Sequence, residues 1–367
     1  MRPALGQENP RCSFVLTTGR EPGAIAIVQL IGETEDVLRS LTGVSEWPIG
    51  RMRLVDFDGI DEGLAGRLGE SVAQVMPHGG PRVVQRLLGR LLELGVEAAP
   101  ADDVDPRDLY PEATDRYEAL ALAAVARARS PLAIDLLLDQ PRRWRKRPRP
   151  TPDDLVRSRR LDRLIEPPLV VLAGPPNVGK STLSNALLGR SMSIALEGPG
   201  TTRDYTSGRI ELAGLVVDWH DTPGITPGIR TATEPAAGDS IEAKAVDLAR
   251  RLIEHADLLV AMTDHEHDWP TLARPPELRV MNKIDLATPG SEPSSCDSVI
   301  EGPTESPLTP ALSRREREWM AISAINGDGL PELVTTIRDR LVPPADLANP
   351  GPWVFDRRLM QSTGEGT

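Results

Sequence analysis

The segment Gly174-Pro175-Pro176-Asn177-Val178-Gly179-Lys180-Ser181 constrains this chain more than any other. The apolar run Leu169-Val170-Val171-Leu172-Ala173 precedes it, and Thr182-Leu183-Ser184-Asn185-Ala186-Leu187-Leu188 follows. Strand, G-x-x-x-x-G-K-S, then helix is the context a phosphate-binding loop requires. Its glycines let backbone N–H groups turn inward around phosphates, and the helix directs its N-terminus at the same anion. Lys180 is expected near the β- and γ-phosphates, and the Ser181 hydroxyl on Mg²⁺. The predicted fold is therefore α/β, with a parallel sheet in the second half of the chain.

Further along, Met281-Asn282-Lys283-Ile284-Asp285 follows the short apolar stretch Leu278-Arg279-Val280. An N-K-x-D at a strand end suits guanine, because the Asp285 carboxylate accepts from both N1–H and the exocyclic amine. Adenine has no donor there and would leave the carboxylate unpaired. Asn282 is expected to brace the loop. In Ala321-Ile322-Ser323-Ala324, a strand ends in a turn where Ser323 and Ala324 are expected to offer N–H groups to the guanine carbonyl.

Between these motifs, Asp221-Thr222-Pro223-Gly224 ends the strand Leu215 to His220. Asp221 is expected to reach Mg²⁺, and the Gly224 N–H to sense the γ-phosphate. Upstream, Gly200-Thr201-Thr202-Arg203-Asp204 precedes a hairpin turning at Ala213-Gly214, and Thr202 is the candidate for completing the Mg²⁺ shell. Both loops are candidates for ordering by the γ-phosphate. After D-x-x-G, Ras-like enzymes carry a water-orienting Gln. Here that position is Ile225, which cannot bond water. Two substitutes are open: Asn177 holding a monovalent cation, or a carboxylate in Asp239-Ser240-Ile241-Glu242-Ala243-Lys244.

Together, G-x-P-N-V-G-K-S, G-T-T-R-D, D-T-x-G and N-K-x-D resemble the GTPases that include Era, Der and the tRNA-modification GTPase MnmE. Gly23 to Gly32, Asp61-Glu62-Gly63-Leu64-Ala65 and His78-Gly79-Gly80-Pro81 are similar to the folate-binding domain of the MnmE family. Arg116 to Arg145 resembles the start of its helical domain. A single set of G motifs argues against Der, which carries two. The resemblance implies that Asn177 coordinates K⁺, that Leu196 to Thr201 closes over it, and that Glu242 orients water. It implies GTP hydrolysis in tRNA wobble-uridine modification, with tRNA, a modification partner protein, a G-domain dimer and a folate derivative as companions. The sequence departs from the family where it has Gln29 in place of the strand Arg used with folate, Leu196 in the K⁺ loop, and Asp356 to Thr367 without a Cys-x-Gly-Lys motif. An Era-like switch in ribosome assembly, or a degenerate paralogue that only binds GTP, stays open as an alternative.

The predicted organisation is an N-terminal α+β domain at 1–115, a reduced helical segment and basic linker at 116–165, a Ras-like P-loop G domain at 166–343, and a tail at 344–367. A Pro-, Ser- and Glu-rich insertion at about 288–317 reads as disordered. Candidate nucleotide-binding residues are Asn177, Val178, Gly179, Lys180, Ser181, Thr182, Asn282, Lys283, Asp285, Ser323 and Ala324. Candidate catalytic residues are Lys180, Thr202, Gly224 and Glu242. Ser181, Thr202 and Asp221 are the expected Mg²⁺ ligands, and Asn177 the expected K⁺ ligand. A net charge of −12 disfavours a general nucleic-acid binder. The basic run Arg142 to Pro150 reads as a solvated, Pro-stiffened linker, with an RNA phosphate contact as the other reading. Two distant cysteines, Cys12 and Cys296, and no 20-residue apolar stretch suggest the cytoplasm and no membrane.

Overall fold

The computed structural model describes residues 12–18, 23–190, 207–222, 241–286 and 319–361, with the backbone alone at 190 and 241–246. It divides into two compact units. The first comprises 1–128, 134–154 and 351–367; the second comprises 129–133 and 155–350. No described helix is long and apolar enough to cross a membrane.

The first unit is built on β1 (Cys12–Leu16), β2 (Val28–Gly32), α1 (Thr34–Thr42), β3 (Met52–Asp56), β4 (Glu62–Arg67), β5 (Val72–Met76), α2 (Pro81–Glu93) and β6 (Glu97–Ala98). The strands form one sheet in the order β3-β4-β5-β2-β1-β6. Its pairings are antiparallel except β1 with β6. Leu38 and Leu41 of α1 and Leu87 and Leu91 of α2 join Phe14, Val28, Leu30, Ala73 and Val75 in one buried core. The i,i+4 spacing of Leu87 and Leu91 puts both on one face of α2, which is why the helix lies against the sheet.

The helices that follow are α3 (Pro106–Leu109), α4 (Arg116–Arg127), α5 (Leu132–Lys146) and α6 (Pro152–Leu161). Asp115 caps α4 by accepting from the Glu118 N–H at 2.9 Å. Two expectations differ here. The run Arg142 to Lys146 is the last turn of α5, not linker. Its charges have local partners: Arg142 and Arg143 pair with Asp139, and Arg145 with Asp115. Trp144, in the middle of the run, is fully buried and anchors the helix. Within the 344–367 expected as a C-terminal tail, residues 351–361 are packed. Trp353 is fully buried, accepts from the Trp144 indole N–H at 2.9 Å, and donates its own N–H to Gln140 at 2.7 Å. Asp356 and Arg358 form a buried bidentate pair. Aromatic area removed from water, with these bonds and the buried pair, offsets much of the ordering cost of this short segment.

The second unit holds β7 (Leu169–Ala173), α7 (Lys180–Arg190), β8 (Ser207–Leu212), β9 (Leu215–Asp221), α8 (Ile241–His255), β10 (Leu258–Thr263), β11 (Leu278–Met281), β12 (Met320–Ala321), α9 (Leu330–Leu341) and α10 (Pro344–Leu347). Its sheet runs β12-β11-β10-β7-β9-β8. All pairs are parallel except the β8–β9 hairpin. Ala213 and Gly214, both at positive φ, make that hairpin's two-residue turn. Val170, Val171, Leu172 and Ala173 are all fully buried, as expected for a parallel strand covered on both faces. The 288–317 insertion lies outside the described residues.

The packing of residues 351–361 yields a stability prediction. Trp353→Ala is expected to destabilise the first unit by about 3–5 kcal/mol, the usual range for emptying a buried aromatic site. Urea unfolding followed by circular dichroism measures it. A change below about 1 kcal/mol would contradict this packing.

Candidate nucleotide site

The loop from Gly174 to Gly179 leaves the C-terminal end of β7 and enters α7 at Lys180. Two glycines are there for space. A Cβ on Gly174 would lie 2.2 Å from the Met262 carbonyl oxygen of the neighbouring strand. At Gly179, where φ is +93°, it would lie 2.3 Å from the Asn282 side-chain nitrogen. Asn177 also adopts a left-handed conformation, φ 63°, and is exposed at the loop tip.

Lys180 folds back over this loop. Its ammonium donates to the carbonyls of Gly174 at 3.0 Å and Pro175 at 2.8 Å, and the residue is buried. Burial pushes its pKa down, while the Asp221 charge opposes that shift. Ser181 Oγ donates to Asp221 Oδ2 at 2.9 Å. Burial raises the Asp221 pKa, against the Ser181 hydrogen bond and the Lys180 charge. The other oxygen, Asp221 Oδ1, is buried and has no partner among the described residues. An orphaned carboxylate oxygen next to a serine hydroxyl is a donor set that suits a hard divalent cation. Val178, fully buried, holds the loop from beneath, and Thr182 is exposed on the first turn of α7.

Asn282 connects the phosphate loop to the loop after β12. Its amide donates to the Val178 carbonyl at 2.9 Å and its Oδ1 accepts from the Ala324 N–H at 2.9 Å. Asp285 is exposed beside it. The N–H groups of Ser323 and Ala324 were expected to be open to a base. In the structure both are engaged, Ser323 with the Asp328 carbonyl at 3.0 Å and Ala324 with Asn282. Turn closure supplies the first bond and the buried Asn282 the second.

The structure thus gathers Lys180, Ser181, Asp221, Asn282 and Ala324 around the phosphate loop, through the Lys180 bonds to the loop carbonyls, the Ser181–Asp221 bond and the Asn282 bonds to Val178 and Ala324. Thr202, Gly224, Ile225 and the stretch Leu196 to Thr201 lie outside the described residues. Glu242 falls in α8 where only the backbone is described. One residue that sequence reasoning missed is Asp264, fully buried just after β10 and ion-paired to Lys283 at 2.6 Å. The signal was faint: a carboxylate ending the apolar run Leu258 to Thr263.

A parallel sheet with this loop, this serine–aspartate pair and this N-K-x-D defines a P-loop G domain of the guanine-nucleotide class. Comparison with known proteins agrees. A family model described as a 50S ribosome-binding GTPase matches residues 169–285. The tRNA modification GTPase MnmE of Rhodopseudomonas palustris strain BisB5 is 31% identical over 388 residues, covering 89% of this chain and 81% of that protein. Its counterpart in Nitrosomonas europaea is 28% identical over 404 residues, covering 93% and 83%. Among solved structures, Era of Aquifex aeolicus is 31% identical over 46% of this chain and 55% of that one, at a TM-score of 0.30, too low to add weight. The chain belongs to the MnmE family.

The close approaches at the loop predict opposite signs for two glycine substitutions. Gly174→Ala forces a backbone carbonyl to move and is expected to cost about 1–3 kcal/mol. Gly189→Ala, in α7 with nothing within 4 Å of its added Cβ, is expected to stabilise by about 0.4–1 kcal/mol. Thermal unfolding of the two variants without nucleotide decides it, and equal shifts would contradict the geometry.

Proposed function

We propose that this chain hydrolyses GTP to GDP and phosphate with the help of cations, and that the cycle serves tRNA wobble-uridine modification. The observation that carries the reading is family membership over most of the chain, joined to the array around Asp221 and Ser181. In this reading Lys180 exchanges the Gly174 and Pro175 carbonyls for the β- and γ-phosphates. Val178, Gly179, Lys180, Ser181 and Thr182 line the phosphates with N–H groups. Asp285 accepts from the guanine edge, and Asn282 holds the loop that carries it.

Ser181, Thr202 and Asp221 hold Mg²⁺, which when bound neutralises charge building on the phosphate oxygens. The orphaned Asp221 Oδ1 supports that assignment. Gly224 meets the γ-phosphate. Since Ile225 cannot orient water, Glu242 takes that role. Asn177 offers its side-chain oxygen to K⁺, which when bound adds positive charge where an arginine finger acts in other G proteins. The exposed, left-handed Asn177 is free to present that oxygen. Companions in this reading are tRNA, a partner protein and a second G domain, in the cytoplasm.

Folate fits less well. Gln29 is fully buried and donates its amide to the Asp108 carbonyl at 2.9 Å. That strand position presents no cation and no exposed donor, so no step is assigned to a folate.

The test is GTP hydrolysis in KCl against NaCl at equal ionic strength, with Asn177→Ala alongside. At least tenfold stimulation by K⁺ is expected, about 1.4 kcal/mol of barrier, and Asn177→Ala is expected to abolish it. Equal slow rates in both salts would remove the cation-assisted mechanism. Wobble uridines left unchanged after deletion of the gene would remove the tRNA role.

A further inference from the structure

Asp264 has no role in the scheme above, yet it is among the most deeply buried carboxylates of the described residues. The parallel register puts it in place. Thr263 of β10 lies opposite Met281 of β11, and the Asn282 N–H donates to the Thr263 carbonyl at 2.9 Å. Just past the strand ends come Asp264, one residue after Thr263, and Lys283, two residues after Met281. Lys283 Nζ donates to Asp264 Oδ2 at 2.6 Å. The other oxygen, Oδ1, lies 2.6 Å from His267 Nδ1 and accepts from the Glu266 N–H at 3.1 Å. Burial alone would raise the Asp264 pKa, but the bonds from Lys283 and His267 hold it below the usual carboxylate range. The group stays charged.

Lys283 is itself in an uncommon conformation. Its φ is 62°, one of four non-glycine residues in the left-handed region among those described. A left-handed, long side chain persists only where its surroundings hold it. The backbone is held on one side by the Asn282 bond to Thr263, and on the other by the Leu286 N–H donating to the Lys283 carbonyl at 3.0 Å. The side chain is held by Asp264. Lys283 stands between Asn282 and Asp285, so its tether sets the turn that aims the Asp285 carboxylate.

We propose that Asp264 is a positioning residue for guanine recognition: its pair with Lys283 fixes the turn that presents Asp285 to the base. The inference rests on the guanine reading of the site and names a residue which that reading does not use. Asp264 acts only through Lys283, so its contribution vanishes when Lys283 has no charge to hold. Loosening the turn harms the bond to the exocyclic amine of guanine most, so selectivity for guanine over hypoxanthine falls with affinity.

The experiment measures Kd values of fluorescent GDP, IDP and ADP for the full chain and for Asp264→Asn, Asp264→Glu, Lys283→Met and the Asp264→Asn/Lys283→Met pair. Asp264→Asn is expected to weaken GDP binding at least tenfold and to cut the GDP-over-IDP preference at least fivefold. Asp264→Glu keeps the charge and is expected to stay within about threefold of the parent. The double variant is expected within about twofold of Lys283→Met alone, the non-additivity of a coupled pair. Multiplying effects in the double variant, or an Asp264→Asn affinity within twofold of the parent, would overturn the proposal. Should Asp264→Asn show no cooperative melt, Asp264→Glu in the Lys283→Met background decides: no further change supports the coupling, and a persisting loss refutes it. A parent chain that binds ADP as well as GDP would instead sink the guanine reading itself.

Discussion

The side chain of Asn282 is the joint on which this site depends. It is bonded on one side to the Val178 carbonyl of the phosphate loop and on the other to the Ala324 N–H. Three segments far apart in sequence meet there, and the meeting is possible only because Gly179 has no side chain. A methyl group at that position would overlap the Asn282 amide at 2.3 Å. The tolerance is therefore a fraction of an ångström, set by the β7, β10 and β11 register that brings the strand ends level. In a close-packed interior such a contact cannot be adjusted at one end without moving the other. Phosphate loop and base loop are thereby tied to each other through one side chain.

Around that joint the molecule treats its two lysines in opposite ways. Lys283 is neutralised by a buried carboxylate at 2.6 Å. Among the described residues Lys180 bonds to the carbonyls of its own loop, and the nearby carboxylate of Asp221 takes its hydrogen bond from Ser181. Burial depresses the Lys180 pKa, so its charged form is held at some cost in the protein alone. An arriving phosphate relieves that cost, whereas it would gain little from a lysine already paired. The same reasoning applies with opposite sign to Asp221, whose unpartnered oxygen is relieved by a cation. A buried, under-satisfied pair of opposite charges, kept from bonding each other, is a site prepared for a phosphate and a metal together.

Much of this was legible in the sequence because the motifs are read along the chain. Gly174 to Ser181 between an apolar run and a helix, and Asn282 to Asp285 after another strand, need no knowledge of what lies across the sheet. The turn at Ala213-Gly214 was legible because its left-handed geometry favours glycine. The main misses are pairings across the chain. Asp264 is one carboxylate among 54 acidic residues until β10 and β11 are laid side by side. Ala324 reads as an open donor because nothing in its own segment shows that Asn282 takes its N–H group. Residues 351–361 read as a tail because Trp353 finds its partners, Trp144 and Gln140, more than 200 positions earlier.

The arginine run shows the same limit with a functional edge. Read along the chain, Arg142 to Pro150 is a solvated linker first and an RNA phosphate contact second, on a chain of net charge −12. Folded, Arg142 and Arg143 share Asp139, Arg145 pairs with Asp115, and Arg147 pairs with the buried Asp154. Half-exposed pairs of this kind are worth about 0–1 kcal/mol each, so a phosphate can displace the carboxylate. The displaced carboxylate then stands beside the incoming anion, and the field gained is less than the count of arginines implies. Of these partners Asp154 is the costliest to strip, being buried and also the acceptor for the Thr151 N–H and hydroxyl. The run is therefore first a device for seating α5, with Trp144 as its anchor. Any nucleic acid that used it would have to be drawn by something more specific than charge.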